Sequence, residues 1–497
     1  MSAAQLQHTL ALASPRPRIV GCLLPHTIRP EGEAGTTVRS LGAFDQIADV
    51  IGRERVELVL VSLPLAMDDA MRRLRAQLER LGVTWRFMPT LADQLAGRTA
   101  QRHLGDGPPT GPASPAMPGS LDAAQLINRQ PRPLDHDAIR HCLAGRCVLI
   151  TGAGGSIGSE LARIVCRFKP AKLVLLERSE NALFEIDREL ARIFPELPRK
   201  AVLHDVTHRQ STFERIGELA PDVIFHAAAH KHVPMMEDHP AAAVENNFYG
   251  TRALADAADA HGVQRFVMIS SDKAVNPSSV MGATKRLAEL YIQHLNQHSD
   301  TVYSMVRFGN VLGSACSVLP IWTNQLAHGG PITVTHPDMT RYFMTIPEAA
   351  GLVLQAGALS GAEAGRLQPH GQGGEVFLLD MGEPVHIVDL ARRFLRAHGY
   401  EPDVDIAITH TGIRPGEKLF EELAYDGEDM LPTPHDAIRI WRTTPPSPAR
   451  MRQIVATFDH LRDGGGDLSH PWQHTSRDAI VTALRTAIPE MVAAAAG

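Results

Sequence analysis

Between the apolar run Val148-Leu149-Ile150 and a stretch of helical periodicity lies Thr151-Gly152-Ala153-Gly154-Gly155-Ser156-Ile157-Gly158, with glycines at 152, 155 and 158. No other segment constrains the fold as much. Ile157, Leu161, Ile164, Val165 and Phe168 share one helix face at spacings of four, seven, eight and eleven, so the glycines join a buried strand to an amphipathic helix. Glycine here lets the backbone turn sharply and approach a pyrophosphate, whose charge meets free N–H groups at the positive end of the helix. A ligand-free β-α turn would use the same residues, so the motif takes its meaning from context.

That context is a rhythm. From about Leu134, apolar runs at 147–150, 172–176, 201–203, 223–225, 265–269 and 302–306 alternate with helical segments. The pattern predicts an α/β fold, a Rossmann doubly wound parallel sheet covered by helices on both faces, with ligands at the carboxyl ends of its strands. Glu177 ends the second run nineteen residues after Gly158, where a carboxylate accepts ribose hydroxyls and disfavours a 2′-phosphate, so NAD is the expected cofactor. Arg178 beside it can attract that phosphate, and NADP stays open. The expected dinucleotide set is Gly152, Gly155, Ser156, Ile157, Gly158, Glu177, Arg178, Asp205, Val206, Ala227, Ala228 and Lys285.

The chain has 497 residues, enough for two or three folded units. Nine of the fifteen residues at 105–119 are Gly or Pro, which predicts an exposed linker. Before it, apolar runs at 18–24 and 56–63 and a helix-like stretch at 68–81 predict a small α/β unit. The expected division is 1–100 for that unit, 101–133 for the linker and 134–497 for a catalytic domain. Lys and Arg total 49 against 55 Asp and Glu, so there is no basic excess to hold nucleic acid. Five scattered cysteines without C-x-x-C, and 24 histidines without H-E-x-x-H, predict neither disulfides nor a catalytic metal. No run of eighteen apolar residues occurs and the opening apolar stretch is too short for a signal peptide, so the expectation is a cytoplasmic protein with no integral membrane segment.

The segments TGAGGSIGSEL (151–161), FHAAAHKHVPMME (225–237), ENNFYGT (245–251), SSDKAVNPSSVMGATKR (270–286), VRFGNVLGS (306–314), GGPITVTHPDMTRYFMTIPEA (329–349), VFLLDMGEP (376–384) and RPGEKLFEEL (414–423) follow one another in this order. Together they resemble the extended short-chain dehydrogenase/reductases and, within them, the nucleoside-diphosphate-sugar 4,6-dehydratases of bacterial polysaccharide and glycan biosynthesis. The resemblance implies that the later segments of 134–497 form a smaller sugar-nucleotide-binding cap, the C-terminal substrate-binding part of the catalytic domain, and the first unit resembles, less closely, the Rossmann-like domain of longer members. Those members carry N-terminal transmembrane helices and an intact glycine-rich opening. This chain begins beyond both, so a truncated first domain is expected and membrane anchoring loses support. The family's usual Arg-Gly is replaced by Ala315-Cys316, which puts one substrate contact in doubt.

The resemblance implies a cycle that oxidises the sugar C4 hydroxyl, removes the now acidic C5 proton, expels the C6 hydroxyl and returns hydride to C6. Asp272 would be the acid and Lys273 the base, with Ser271 and Lys285 beside them. The demands are opposed: Asp272 must hold a proton, and Lys273 must lose one from a reference pKa of about 10.4. Burial near Lys285 is expected to leave Lys273 neutral. Met281 stands four residues before Lys285, where most short-chain reductases place Tyr. A thioether cannot carry a proton, so that duty falls to Lys285, Ser271 or water, and Met281 is read as a feature of one dehydratase branch. Lys231, Asn247, Asn310, Arg341 and Arg414 are the expected substrate contacts, with UDP-N-acetylglucosamine as the implied substrate. Family members self-associate through helices flanking the active-site Lys, so a homo-oligomer is implied too. Two rival readings are a nucleotide-sugar 4-epimerase, which needs no Asp-Lys pair, and a silent dinucleotide-binding scaffold.

Overall fold

The computed structural model describes residues 22–24, 40–43, 46–61, 74, 77, 78, 80, 81, 83–87, 126, 127, 129, 131–360, 375–423, 430–441, 443–464 and 471–491. The Gly/Pro stretch at 105–119, and residues 18–21 and 62–63 of the first two apolar runs, lie outside them. The chain divides into two compact units, 1–120 and 121–497. In the first, β1 (Cys22–Leu24) pairs in parallel with β2 (Ser40–Ala43), and β3 (Leu58–Val61) with β4 (Thr84–Phe87). Helix α1 (Ile47–Glu54) buries Ile47 and Val50. Within 68–81, Leu74, Gln77, Leu78 and Arg80 are helical.

The second unit opens with α2 (His136–Leu143), β5 (Cys147–Thr151), α3 (Ser156–Arg167), β6 (Lys172–Glu177), α4 (Glu180–Ile193), β7 (Arg199–Leu203), α5 (Arg209–Leu219) and β8 (Val223–His226). Helices α6 (Val233–Asp238) and α7 (Pro240–Val244) lead through a π turn, Glu245–Tyr249, into α8 (Gly250–Ala260). There follow β9 (Arg265–Ile269), a 3-10 turn at Asp272–Ala274, α9 (Val280–Leu295) and β10 (Val302–Arg307). The later part holds β11 (Asn310–Leu312), α10 (Val318–Ala327), β12 (Ile332–Val334), β13 (Thr340–Arg341), β14 (Phe343–Thr345), α11 (Ile346–Leu359), β15 (Glu375–Leu379), β16 (Val385–His386) and α12 (Ile387–Ala397). It ends with β17 (Ile408–His410), β18 (Met430–Pro432), β19 (Ile438–Trp441), α13 (Pro448–Asp463) and α14 (Arg477–Ala487).

Nine strands form one sheet in the order β18-β19-β15-β10-β9-β8-β5-β6-β7, parallel except for the edge pairings of β19 and β18. The expected doubly wound sheet is present, because each central strand is apolar on both faces. Val148, Ile150, Leu173 and Leu175 face α3, α4 and α11, whereas Leu149, Val174, Leu176 and Phe266 face α5, α8 and α9. The six runs expected to be strands are strands, some longer by one or two residues. A smaller cap of short pairs, β11–β14, β12–β17 and β13–β16, gathers around Trp322, Phe343 and Phe394. Leu126 and Ile127 are buried in this cluster.

The outer face of α9 carries Leu287 and Tyr291, and it packs against Phe458 of α13 and Leu484 of α14. Arg462 and Trp472 add bonds to Glu245, and Asp459 takes the Tyr249 hydroxyl and Arg252. The chain's own C-terminal helices therefore cover this face of α9.

Candidate active site

The glycine-rich turn is held by close backbone packing. Gly152 has φ +63, and a Cβ there would lie 2.8 Å from Ala228 N and 2.9 Å from the Ala227 carbonyl. A Cβ on Gly158 would lie 2.0 Å from Gly152 O, so α3 begins directly against the turn. Gly155 occupies the N-cap position without a side-chain cap, and the first N–H groups of α3, from Ser156 and Ile157 onward, have no partner within the helix. Side chains would fill this cradle, and a pyrophosphate suits it.

Strand ends complete that half of the site. Glu177 accepts bonds from the N–H groups of Gly154 (3.2 Å), Arg178 (2.9 Å) and Ser179 (3.0 Å), which ties β6 to the turn. Arg178 reaches Asn246 at 3.2 Å, His230 at 2.5 Å and Asp205 at 3.8 Å, so it lies across the neighbouring strand ends. Burial would raise the Asp205 carboxyl, but bonds from Thr207 and the charge of Arg178 outweigh it and the net shift is downward. Val206 is buried beside Gly250.

His226, the last residue of β8, lies beneath the turn. Burial, with the charge of Lys285, pushes its pKa down to about 3, so the ring is neutral. Its Nδ1 is 2.7 Å from Thr151 Oγ1, and its Nε2 is 2.9 Å from Thr251 Oγ1. Thr251 spends its own proton on Asn247 O (2.7 Å), so His226 Nε2 must be the protonated nitrogen and Nδ1 the acceptor.

The reacting groups converge where β9 and β10 end. Ser271 Oγ donates to Asp272 Oδ1 at 2.9 Å and accepts from Lys273 N at 3.3 Å. Lys273 Nζ donates to Asp272 Oδ1 at 3.0 Å and Asn310 Oδ1 at 3.2 Å, and pairs with Glu421 Oε1 at 3.5 Å. Asp272 Oδ2 is buried without a hydrogen-bond partner. The expectation of a neutral Lys273 is not met. Burial lowers its pKa, yet Asp272 and Glu421 together outweigh burial and the opposing charge of Arg341, and the net shift is upward. The three acceptors match the three protons of an ammonium group.

Lys285 differs. It is buried, its Nζ donates to Ile269 O at 2.5 Å, and burial lowers its pKa to about 8 against a partial opposing pull from Glu289. Glu289 is itself buried in a bidentate pair with Arg307, at 2.8 and 2.6 Å, and also accepts from Ser270 Oγ and Arg286. Arg307 stacks on Trp441 with its Cζ 4.3 Å from the ring centroid. Arg307→Leu strands a buried carboxylate with only Arg286 left to meet it. The expected loss is about 3 kcal/mol of unfolding free energy, read from the denaturant midpoint.

Several expected contacts are placed differently. Met281 is buried among Val280, Ala283 and Leu287 and belongs to the apolar cluster under α13 and α14, so it packs rather than reacts. Asn247 is no substrate contact: its Oδ1 accepts from His230 N and Asn246 Nδ2, and its Nδ2 donates to His230 O and Thr284 Oγ1, which fills the amide. Arg341 is buried and spends its donors on Thr340 O, Leu419 O and Lys418 O, with Nε 3.7 Å from Glu421. It holds the 414–423 segment instead of facing a ligand. Lys231 donates to Ser314 Oγ at 3.3 Å and Ala315 O at 2.8 Å, and Ala315 N–H donates to Ser156 Oγ at 3.0 Å. The turn in which Ala315-Cys316 replaces Arg-Gly thus closes onto the head of α3. Arg414 is exposed and paired with Glu417 at 2.6 Å. Glu421 and Gly282 were not singled out in the sequence; the clue available for Gly282 was its place at the head of the helix that follows Asp272-Lys273.

Comparison with known proteins agrees with the motifs. Residues 148–443 match the family model described as "Polysaccharide biosynthesis protein". The capsular polysaccharide biosynthesis protein CapD of Staphylococcus aureus is 44% identical over 79% of this chain and 61% of its own, so the chain spans about three fifths of that relative. A UDP-N-acetylglucosamine 4,6-dehydratase (inverting) of Campylobacter jejuni is 30% identical over 58% of this chain and 80% of its own. A UDP-glucose 4-epimerase of Rickettsia canadensis stands at 31%, over 57% and 79%. Among solved structures, Pen from Bacillus thuringiensis is similar at 32% identity and TM-score 0.52, covering 62% of this chain and 88% of that one. With its glycine cradle, its buried Asp-Lys pair and a family match over more than half its length, this chain belongs to the polysaccharide biosynthesis protein family.

Proposed function

We propose that this chain removes water from a UDP-sugar, UDP-N-acetylglucosamine or a close relative, to give a 4-keto-6-deoxy sugar nucleotide. One observation carries the reading. Asp272 and Lys273 touch each other, the carboxyl buried with Oδ2 unpartnered and the amine 17% exposed, and the helix packed on their turn carries Lys285, whose pKa is pushed down to about 8. A bound nicotinamide dinucleotide supplies the acceptor and later the donor of hydride. Gly152, Gly155 and Gly158 would hold its pyrophosphate. Glu177 would take the ribose hydroxyls with its remaining acceptor capacity, and the engagement of Arg178 by Asp205, Asn246 and His230 favours NAD over NADP.

Lys285, partly deprotonated near neutral pH, accepts the C4 hydroxyl proton directly or through water, a duty Met281 cannot perform. Lys273 takes the C5 proton. The Asp272 carboxyl, once it has taken up a proton on Oδ1 from Lys273, delivers it to the departing C6 oxygen. Each role asks for a proton carrier shielded from bulk water, which burial of Asp272 and Lys285 and partial burial of Lys273 provide.

The 4-epimerase reading has support in the UDP-glucose 4-epimerase relative. The two part on mass. Purified protein incubated in D₂O with UDP-N-acetylglucosamine, UDP-glucose and both cofactors is expected to yield a product lighter by one water, with solvent deuterium at C5. A C4 epimer of unchanged mass would establish the rival, and no change in any sugar nucleotide would favour a silent scaffold.

A further inference from the structure

Glu421 has no part in the chemistry above, yet it is buried within the reacting cluster. Its Oε1 lies 3.5 Å from Lys273 Nζ and 3.7 Å from Arg341 Nε, and its side chain is 3% exposed. A buried carboxylate is costly unless its charge is met. Arg341 is itself fixed by the carbonyls of Thr340, Lys418 and Leu419. The groups facing the Lys273 amine are Asp272 from its own turn, Asn310 from β11, Glu421 from the 414–423 segment and Arg341 from β13. Tyr342 lies within electrostatic reach of both Asp272 and Glu383. Two carboxylates and two cations leave the inner cluster of Asp272, Lys273, Glu421 and Arg341 neutral overall.

We propose that Glu421 is a positioning residue of the acid–base pair: anchored by Arg341, it holds the Lys273 amine and sets which of Lys273 and Asp272 carries the single proton they share. The inference rests on the dehydratase reading for its purpose, though not for its test. In the resting arrangement Lys273 is an ammonium and Asp272 a carboxylate. One N–H bond breaks and one O–H bond forms along the 3.0 Å contact. The pair then becomes amine and carboxylic acid, which are the base and the acid that elimination requires. No proton enters or leaves. Glu421 favours the ammonium side, so it keeps the pair loaded with its proton at higher pH and restrains the transfer until substrate arrives.

The test titrates Lys273 directly, by trace acetylation with acetic anhydride across pH and mass spectrometry of the Lys273 peptide, alongside the pH profile of turnover. Removing the negative charge in Glu421→Gln destabilises the ammonium. The midpoint of Lys273 is expected to fall by about one pH unit or more, and the alkaline limb of turnover to move the same way. A purely structural role would scale the rate at every pH and leave both midpoints in place. Should Glu421→Gln fail to fold, Glu421→Asp keeps the charge but withdraws it, and a smaller shift in the same direction is expected. An unchanged Lys273 midpoint in the folded variant overturns the proposal. A shifted midpoint without water loss from any sugar nucleotide sinks the dehydratase reading and leaves this inference standing.

Discussion

Asp272→Asn is expected to cut the rate of water loss by about 10³-fold while deuterium from solvent still enters C5. Asn cannot deliver a proton to the C6 oxygen, so elimination stalls at its second bond. Lys273, relieved of its nearest carboxylate at 3.0 Å, loses its proton more readily, so the C5 step persists. Exchange without elimination separates the two residues in a way that loss of activity alone does not. The side chain is fully buried and nearly isosteric with Asn, so the fold should survive, as an unchanged unfolding midpoint would verify. Full-rate dehydration by this variant would remove Asp272 from the acid role.

The second large effect comes from a residue with no functional group. A Cβ on Gly282 would lie 2.1 Å from Lys273 O and 3.0 Å from its carbonyl carbon. The head of α9 therefore sits directly on the turn that carries Asp272 and Lys273, with Ser279 Oγ capping Gly282 N at 3.1 Å. In an unconstrained helix Gly→Ala would stabilise by up to about 1 kcal/mol. Here the added methyl must push helix and turn apart, and Gly282→Ala is expected to cost about 2–3 kcal/mol. Displacing the pair by a fraction of an ångström should lower turnover by about 10²-fold. Denaturant unfolding and the water-loss assay check both figures, and a more stable, fully active variant would show that the contact relaxes freely.

The parts legible in the sequence share a physical cause. Strands β5, β6, β8 and β9 are buried on both faces, so they appear as unbroken apolar runs that need no partner to be recognised. The glycine at 158 is required by crowding against its own turn at Gly152, and local crowding leaves a local signature. The cap was expected from the resemblance, but its strands were not legible because they are two or three residues long, too short for any period. Glu421 was hidden for a different reason: its partners, Lys273 and Arg341, are distant in sequence, and nothing in Phe420-Glu421-Glu422 says which carboxylate turns inward. Asn247 and Arg341 misled because a polar residue in a recognisable motif suits a ligand and a backbone clamp equally well. Only the filled hydrogen-bond capacity decides between them.

The separation between the sheet and the small paired strands has an evolutionary side. The glycine turn and strand ends proposed to hold a dinucleotide come from the first strands and helices of the second unit, whereas the cap is threaded from later stretches joined through β11, β13 and the 414–423 segment. Under the proposed function, drift in those later stretches can retune which hexose is admitted without disturbing hydride chemistry. Arg341 and Glu421 are the exception, since they tie the changeable half to the proton-handling pair. Lineages that diversify their glycans would be expected to vary around these two positions and leave the two themselves alone.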